Sequence, residues 1–140
     1  MLGGLTMRGL DAAAAQWLAL ALICSAYVQG GLAKALDFPA AVGEIARFGL
    51  RPAAPLAVLT IAIELGAAAL VLSGYRRWFG ALVLAAFTLA ATLVANRFWE
   101  RRRGERMATA NAFFEHLGLV GAFLLIVSLD LAATAGTGAP

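Results

Sequence analysis

The sequence predicts an all-α integral membrane protein, a four-transmembrane-helix bundle with a short interfacial helix between its first and second spans. Three observations carry this. Of 140 residues, 62% are hydrophobic and 14% charged, against about 45–50% apolar and about 25% charged in soluble domains. Apolar blocks fall at about 12–33, 55–74, 78–99 and 108–131, each near the roughly 20 residues that a helix needs to cross a bilayer. None of them alternates as a barrel strand does, and a helix then satisfies the backbone in lipid. The length suits a single membrane domain over 1–140.

Taken in order, the first block follows Arg8 and superficially resembles a signal peptide. It is too long, and Ala21-Leu22-Ile23 before Cys24 puts a bulky residue where lipoprotein cleavage needs a small one. It therefore reads as the first span. Cys24 is the single cysteine, so an internal disulfide and a CxxC pair are both excluded within one chain, and a small buried side chain is expected. In the joint that follows, Asp37 or Phe38 caps a helix over about 39–48 with Pro39 in its first turn. Phe38, Val42, Ile45 and Phe48 recur at helical spacing while Glu44 and Arg47 point elsewhere, as in a helix lying on the bundle mouth. Pro52 and Pro55 end the joint and return the chain to the membrane. The tail 134–140 (TAGTGAP) is small and polar and is expected to be disordered.

Charge sets the expected orientation. Four spans put Arg8, Arg76 and Arg77 on one side, and Lys34, Arg47, Arg51, Arg97, Arg101, Arg102, Arg103 and Arg106 on the other. The positive-inside rule places joints 34–54 and 97–107 in the cytoplasm and both termini outside. These basic residues flank spans, so they read as a topology signal and not as a nucleic-acid surface. Trp78 and Trp99 bracket the third span about 31 Å apart, the separation of two interfacial anchors.

Glu64 lies mid-way along the second block, which holds no other ionisable group. A carboxylate there costs roughly 2.5–3.5 kcal/mol on insertion scales unless protein, water or a partner receives it. Asn111, Glu115 and His116 enter the fourth span from the same side. Lys34 with Tyr27, Gln29 and Gly30 close the first, and Thr88, Thr92 and Asn96 form an i, i+4, i+8 stripe in the third. The polar residues thus share one half of the bilayer, as a pocket open to the cytoplasmic face would require. Lys34 and His116 are the natural partners of Glu64. The candidate ligand-binding residues are Glu64, His116, Lys34, Glu115, Asn111 and Asn96. Plainer readings stand beside each: headgroup contacts for Asn96, Asn111 and Glu115, interhelical glue for the threonine stripe, and a structural ion pair or hydrogen bond for Glu64 and His116. Gly66, Ala69, Gly118 and Gly121 are expected to let helices approach closely.

One histidine supplies no bis-histidine haem, no Cys/His cluster has metal spacing, and no phosphate loop or serine–base pair is present. No catalytic residue and no metal ligand can be named. A cofactor held by this chain alone would be small, apolar and non-covalent, and a quinone is the obvious candidate.

The Gly31-Leu32-Ala33-Lys34 end of the first span, the amphipathic joint, the sequence Glu64, Gly66, Gly74, the Arg-marked turn and the Asn111–Gly118 opening of the fourth span occur in that order. Together, over roughly residues 10 to 130, they resemble the DoxX family of small bacterial four-helix membrane proteins. The resemblance implies a bundle in the bacterial inner membrane and, from some members, a subunit of a quinone-linked oxidoreductase. It transfers fold better than reaction. The expected function is a membrane-anchoring accessory subunit of such a complex, with oxidoreductase subunits as partners, self-association left open, and no catalysis by this chain alone. The alternative is a non-enzymatic structural or assembly subunit.

Overall fold

The computed structural model describes residues 2–138. Its elements are α1 (Leu2–Leu36), α2 (Phe38–Arg47), α3 (Ala53–Ser73), α4 (Arg77–Ala95), a single 3-10 turn (Phe98–Glu100) and α5 (Arg103–Gly136). Four of these helices, α1, α3, α4 and α5, are long and apolar enough to cross a membrane. The protein is an all-α, multi-pass membrane protein.

Several boundaries differ from the sequence reading. α1 begins well before residue 12, and α5 begins at Arg103 rather than near 108. The third span closes at Ala95, where Asn96 caps α4 and its backbone N–H donates to the Thr92 carbonyl. Residues 134–136, expected to be disordered, continue α5. Alanines 132, 133 and 135 carry the highest helix propensity, so the ladder continues until Gly136 stops it. Of the expected disordered tail, 137–138 form a turn and 139–140 lie outside the described residues.

The interfacial helix forms for local reasons. Asp37 is the N-cap, its carboxylate accepting from the Ala40 N–H at 3.2 Å, and Pro39 occupies the first turn where its missing N–H costs nothing. Gly49, at φ 75°, supplies the left-handed residue that reverses the chain beyond Phe48. Ala41 is buried beneath α2, and Val42 and Ile45 are half-buried, with Arg47 turned outward.

Within the bundle α1 packs on α3, α3 on α4 and α4 on α5. Lipid supplies no hydrophobic drive between helices, so small residues permit close approach. At the α3–α4 contact a Cβ on Gly80 would stand 2.7 Å from the Ala67 carbonyl, and at α1–α3 a Cβ on Gly31 would stand 2.7 Å from the Leu65 side chain. Gly66, Gly118 and Gly121 have nothing near them, and Ala69 is exposed. The expectation that these four mediate helix packing is corrected. Gly66 lies about 200° around α3 from the inward-facing Glu64, so it faces away from the bundle.

α1 reaches across the bundle with a long side chain. The Tyr27 hydroxyl lies 2.6 Å from Thr88 Oγ1 on α4, and its ring meets Phe123 of α5 edge-on at 5.4 Å. At the end opposite the arginine cluster, Asp130 of α5 accepts from the Trp78 backbone N–H at 2.9 Å, satisfying one of the donors left open where α4 starts. At the arginine-rich end Phe98, Trp99 and Phe113 stack edge to face.

Helix register opens a space at that end. Gly31 is level with Glu64 and Leu65. From that level α1 runs about 8 Å further to Leu36, whereas α3 extends about 16 Å to its start at Ala53. The notch left by the shorter helix end, roughly a helix diameter deep, is covered by α2.

Candidate functional site

The notch is a partly open cavity of about 510 Å³. Its polar lining is Tyr27 and, at the end of α1, Lys34, with Glu44 of α2, Thr60 and Glu64 of α3, Thr88 of α4 and His116 of α5. The rest of the wall is apolar and includes Ile45, Phe48, Leu56, Phe87 and Leu119.

The centre of the lining is an ion pair. Lys34 Nζ lies 3.1 Å from both Glu64 oxygens and 3.4 Å from the Gly30 carbonyl. The Glu64 side chain is 9% exposed and that of Lys34 23%, so water screens the pair only partly. Gly30 and Gly31 explain how the two helices bring it together. A Cβ on Gly30 would sit 3.4–3.6 Å from the lysine nitrogen and the carboxylate oxygens, and one on Gly31 would sit 3.3 Å from Glu64 Cβ. Lys34 is thus one turn beyond a glycine pair that lets α1 lie against the carboxylate. Among the described residues, no buried side-chain nitrogen or oxygen lacks a hydrogen-bond partner.

Deeper in the bundle, Thr88 donates to the Leu84 carbonyl at 2.6 Å. Its single hydroxyl proton is thereby used, so Tyr27 is the donor in the Tyr27–Thr88 bond. On the wall formed by α5, His116 Nδ1 donates to the Ala112 carbonyl at 2.6 Å. The neutral ring then presents Nε2 as its acceptor.

The sequence candidates separate. Lys34, Glu64 and His116 line one cavity, with Lys34 bonded to Glu64. Asn96 is half-buried and donates to Thr92 Oγ1 at 3.1 Å, outside the cavity lining. Asn111 and Glu115 are exposed on the outward face of α5 and are not part of the lining. Adjacent positions lie about 100° apart on a helix, so turning His116 inward carries Glu115 outward. Glu44, expected to point away, lines the cavity mouth, and Thr60 was not singled out in the sequence. α2 docks with one edge over the notch, an orientation its own periodicity does not specify. Among the described residues no group of His, Cys, Asp and Glu has the arrangement to hold a metal. Trp78 is half-buried and Trp99 49% exposed at opposite ends of α4 and the turn that follows it.

The fold and its cleft define a small helical membrane bundle without a recognisable catalytic constellation among the described residues. This chain belongs to the DoxX family, whose profile matches residues 11–97. The matched region runs from α1 to just past the end of α4 and includes Lys34 and Glu64 but not His116. No curated protein and no solved structure matches significantly.

Proposed function

We propose that the chain is a membrane-anchoring accessory subunit of a quinone-linked oxidoreductase complex in the bacterial inner membrane, with the arginine-rich end cytoplasmic. The observation that carries this reading is the cleft itself. Its volume lies within the roughly 300–1,000 Å³ of small-molecule sites, and a few convergent polar groups stand in an apolar wall, as such sites require. An aromatic ring would lie against Phe48, Phe87 and Leu119, and a carbonyl oxygen at its edge would meet a donor from His116 when protonated. A bound quinone would supply two-electron redox chemistry. The residues of this chain would orient the ring, exclude water and hold a proton near Glu64 and His116. Catalysis would rest with partner subunits.

Glu64→Gln and His116→Ala, each placed in the native complex, test this. Quinone-dependent turnover per assembled complex is expected to fall for both. Unchanged turnover in both would refute the reading. Purification in gentle detergent, followed by mass spectrometry of co-purifying proteins and lipids, is expected to show a redox partner or a stoichiometric quinone.

The second reading is a non-enzymatic structural or assembly subunit. It is favoured by one observation: both carboxylate oxygens of Glu64 are already engaged by Lys34. Under it Glu64→Gln lowers stability or complex yield and leaves turnover per complex unchanged.

A further inference from the structure

α1 carries two stripes. Leu20, Cys24, Tyr27 and Gly31 face the bundle and are buried. Leu18, Leu22, Ser25, Gln29, Leu32 and Leu36 occupy the opposite face and are all exposed. Their spacing of four, three, four, three and four is the heptad repeat of a coiled-coil seam. Beside this stripe runs a second groove of about 630 Å³, lined from Trp17 to Leu36 along α1 and by Leu72 of α3. It extends about 28 Å, the length of one membrane crossing.

Gln29 makes this face more than an apolar surface. Gly30 and Gly31 are level with Glu64, so Gln29 is deep in the span. Its amide is turned away from the bundle, where lipid offers neither donor nor acceptor. An amide at a core position of a two-fold coil meets its own copy, and because it carries both donor and acceptor the contact is self-complementary. A single polar residue at such a position also sets register and strand number.

We propose that α1 is the interface of a parallel, two-fold homodimer in the membrane, with Gln29 hydrogen-bonded to its counterpart across the axis and the four leucines packing on either side. The occupant of the groove is α1 of a second copy. The cleft around Lys34 and Glu64 lies on the other side of α1, so the two copies keep their clefts apart and this inference does not depend on what the cleft binds.

Cysteine cross-linking in native membranes tests it. Gln29→Cys and Ser25→Cys are expected to give a disulfide-linked dimer on mild oxidation. Val58→Cys, exposed on α3 and outside both the cleft and the groove, is expected to give none, and the buried Cys24, left in place, serves as an internal control. In vesicles, subunit counting by single-molecule photobleaching at graded protein-to-lipid ratios is expected to show dimers. Gln29→Ala should weaken them roughly 3- to 30-fold, the range for one interhelical hydrogen bond in a bilayer, and Gln29→Asn should retain most of the association. Equal cross-linking at Val58→Cys, monomers throughout for the unmodified chain, or dimerisation untouched by Gln29→Ala would each overturn the proposal.

Discussion

Replacing Lys34 by Met removes the ammonium and keeps the length of the apolar stem. Glu64, 6% exposed, then stands at mid-span without the group that engages both of its oxygens at 3.1 Å. Breaking one side of a buried ion pair costs about 3–5 kcal/mol, because the loss includes the burial of an uncompensated charge as well as the attraction. Replacing both partners removes that penalty. The double variant Lys34→Met/Glu64→Leu is expected to lie within about 1 kcal/mol of the unmodified protein, or above it. The double-mutant cycle then gives a coupling of several kcal/mol, far beyond the 0.2–1 kcal/mol of exposed pairs. The measurement is reversible unfolding in mixed micelles titrated with dodecyl sulfate and followed by circular dichroism. Raising the salt concentration should change the coupling little, since a pair this enclosed is weakly screened. A cost below about 1 kcal/mol for Lys34→Met, or additive single and double variants, would refute the argument that this pair is what accommodates the carboxylate in the membrane.

Other expectations follow from single contacts. Thr88→Val should cost more than Tyr27→Phe, about 1–3 against about 1 kcal/mol, because the first orphans a buried donor whereas the second leaves Thr88 still bonded to Leu84; equal costs in the same unfolding assay would mean the donor assignment is wrong. Gly80→Ala should destabilise by about 1–3 kcal/mol, since its Cβ meets the Ala67 carbonyl, while Gly66→Ala, in open space, should gain up to about 1 kcal/mol of helix propensity. Asp130→Ala should lower stability by about 0.5–2 kcal/mol through loss of the cap on α4, and melting temperature in detergent reads it.

How far the site was legible depends on which physical quantity fixes each part. Span number and helical class follow from hydropathy and length alone, because lipid leaves a chain of this composition no other way to satisfy its backbone. The interfacial helix was equally local, resting on the Asp37 cap, Pro39 and the period of Phe38, Val42 and Ile45. Glu64 declared itself by being ionisable where ions are costly, and Lys34 and His116 by being within reach of its depth. What each helix turns toward its neighbours is another matter. Hydropathy is nearly uniform around α3 and α5, so nothing in the pattern distinguished Gly66 and Gly118, which face outward, from Gly31 and Gly80, which hold the helices together. The same uniformity hid the outward placement of Asn111 and Glu115.

The sequence by itself therefore determined a four-span membrane bundle with an amphipathic joint and a carboxylate that needs a partner, since these depend on transfer free energies summed along one segment at a time. Only the tertiary structure decided that Lys34 is that partner, that α1 ends short of the start of α3 and leaves a cleft roofed by α2, and that Gln29 is left facing out. Those outcomes depend on rotation and register between helices, which side-chain shape sets where hydrophobicity is the same on every face.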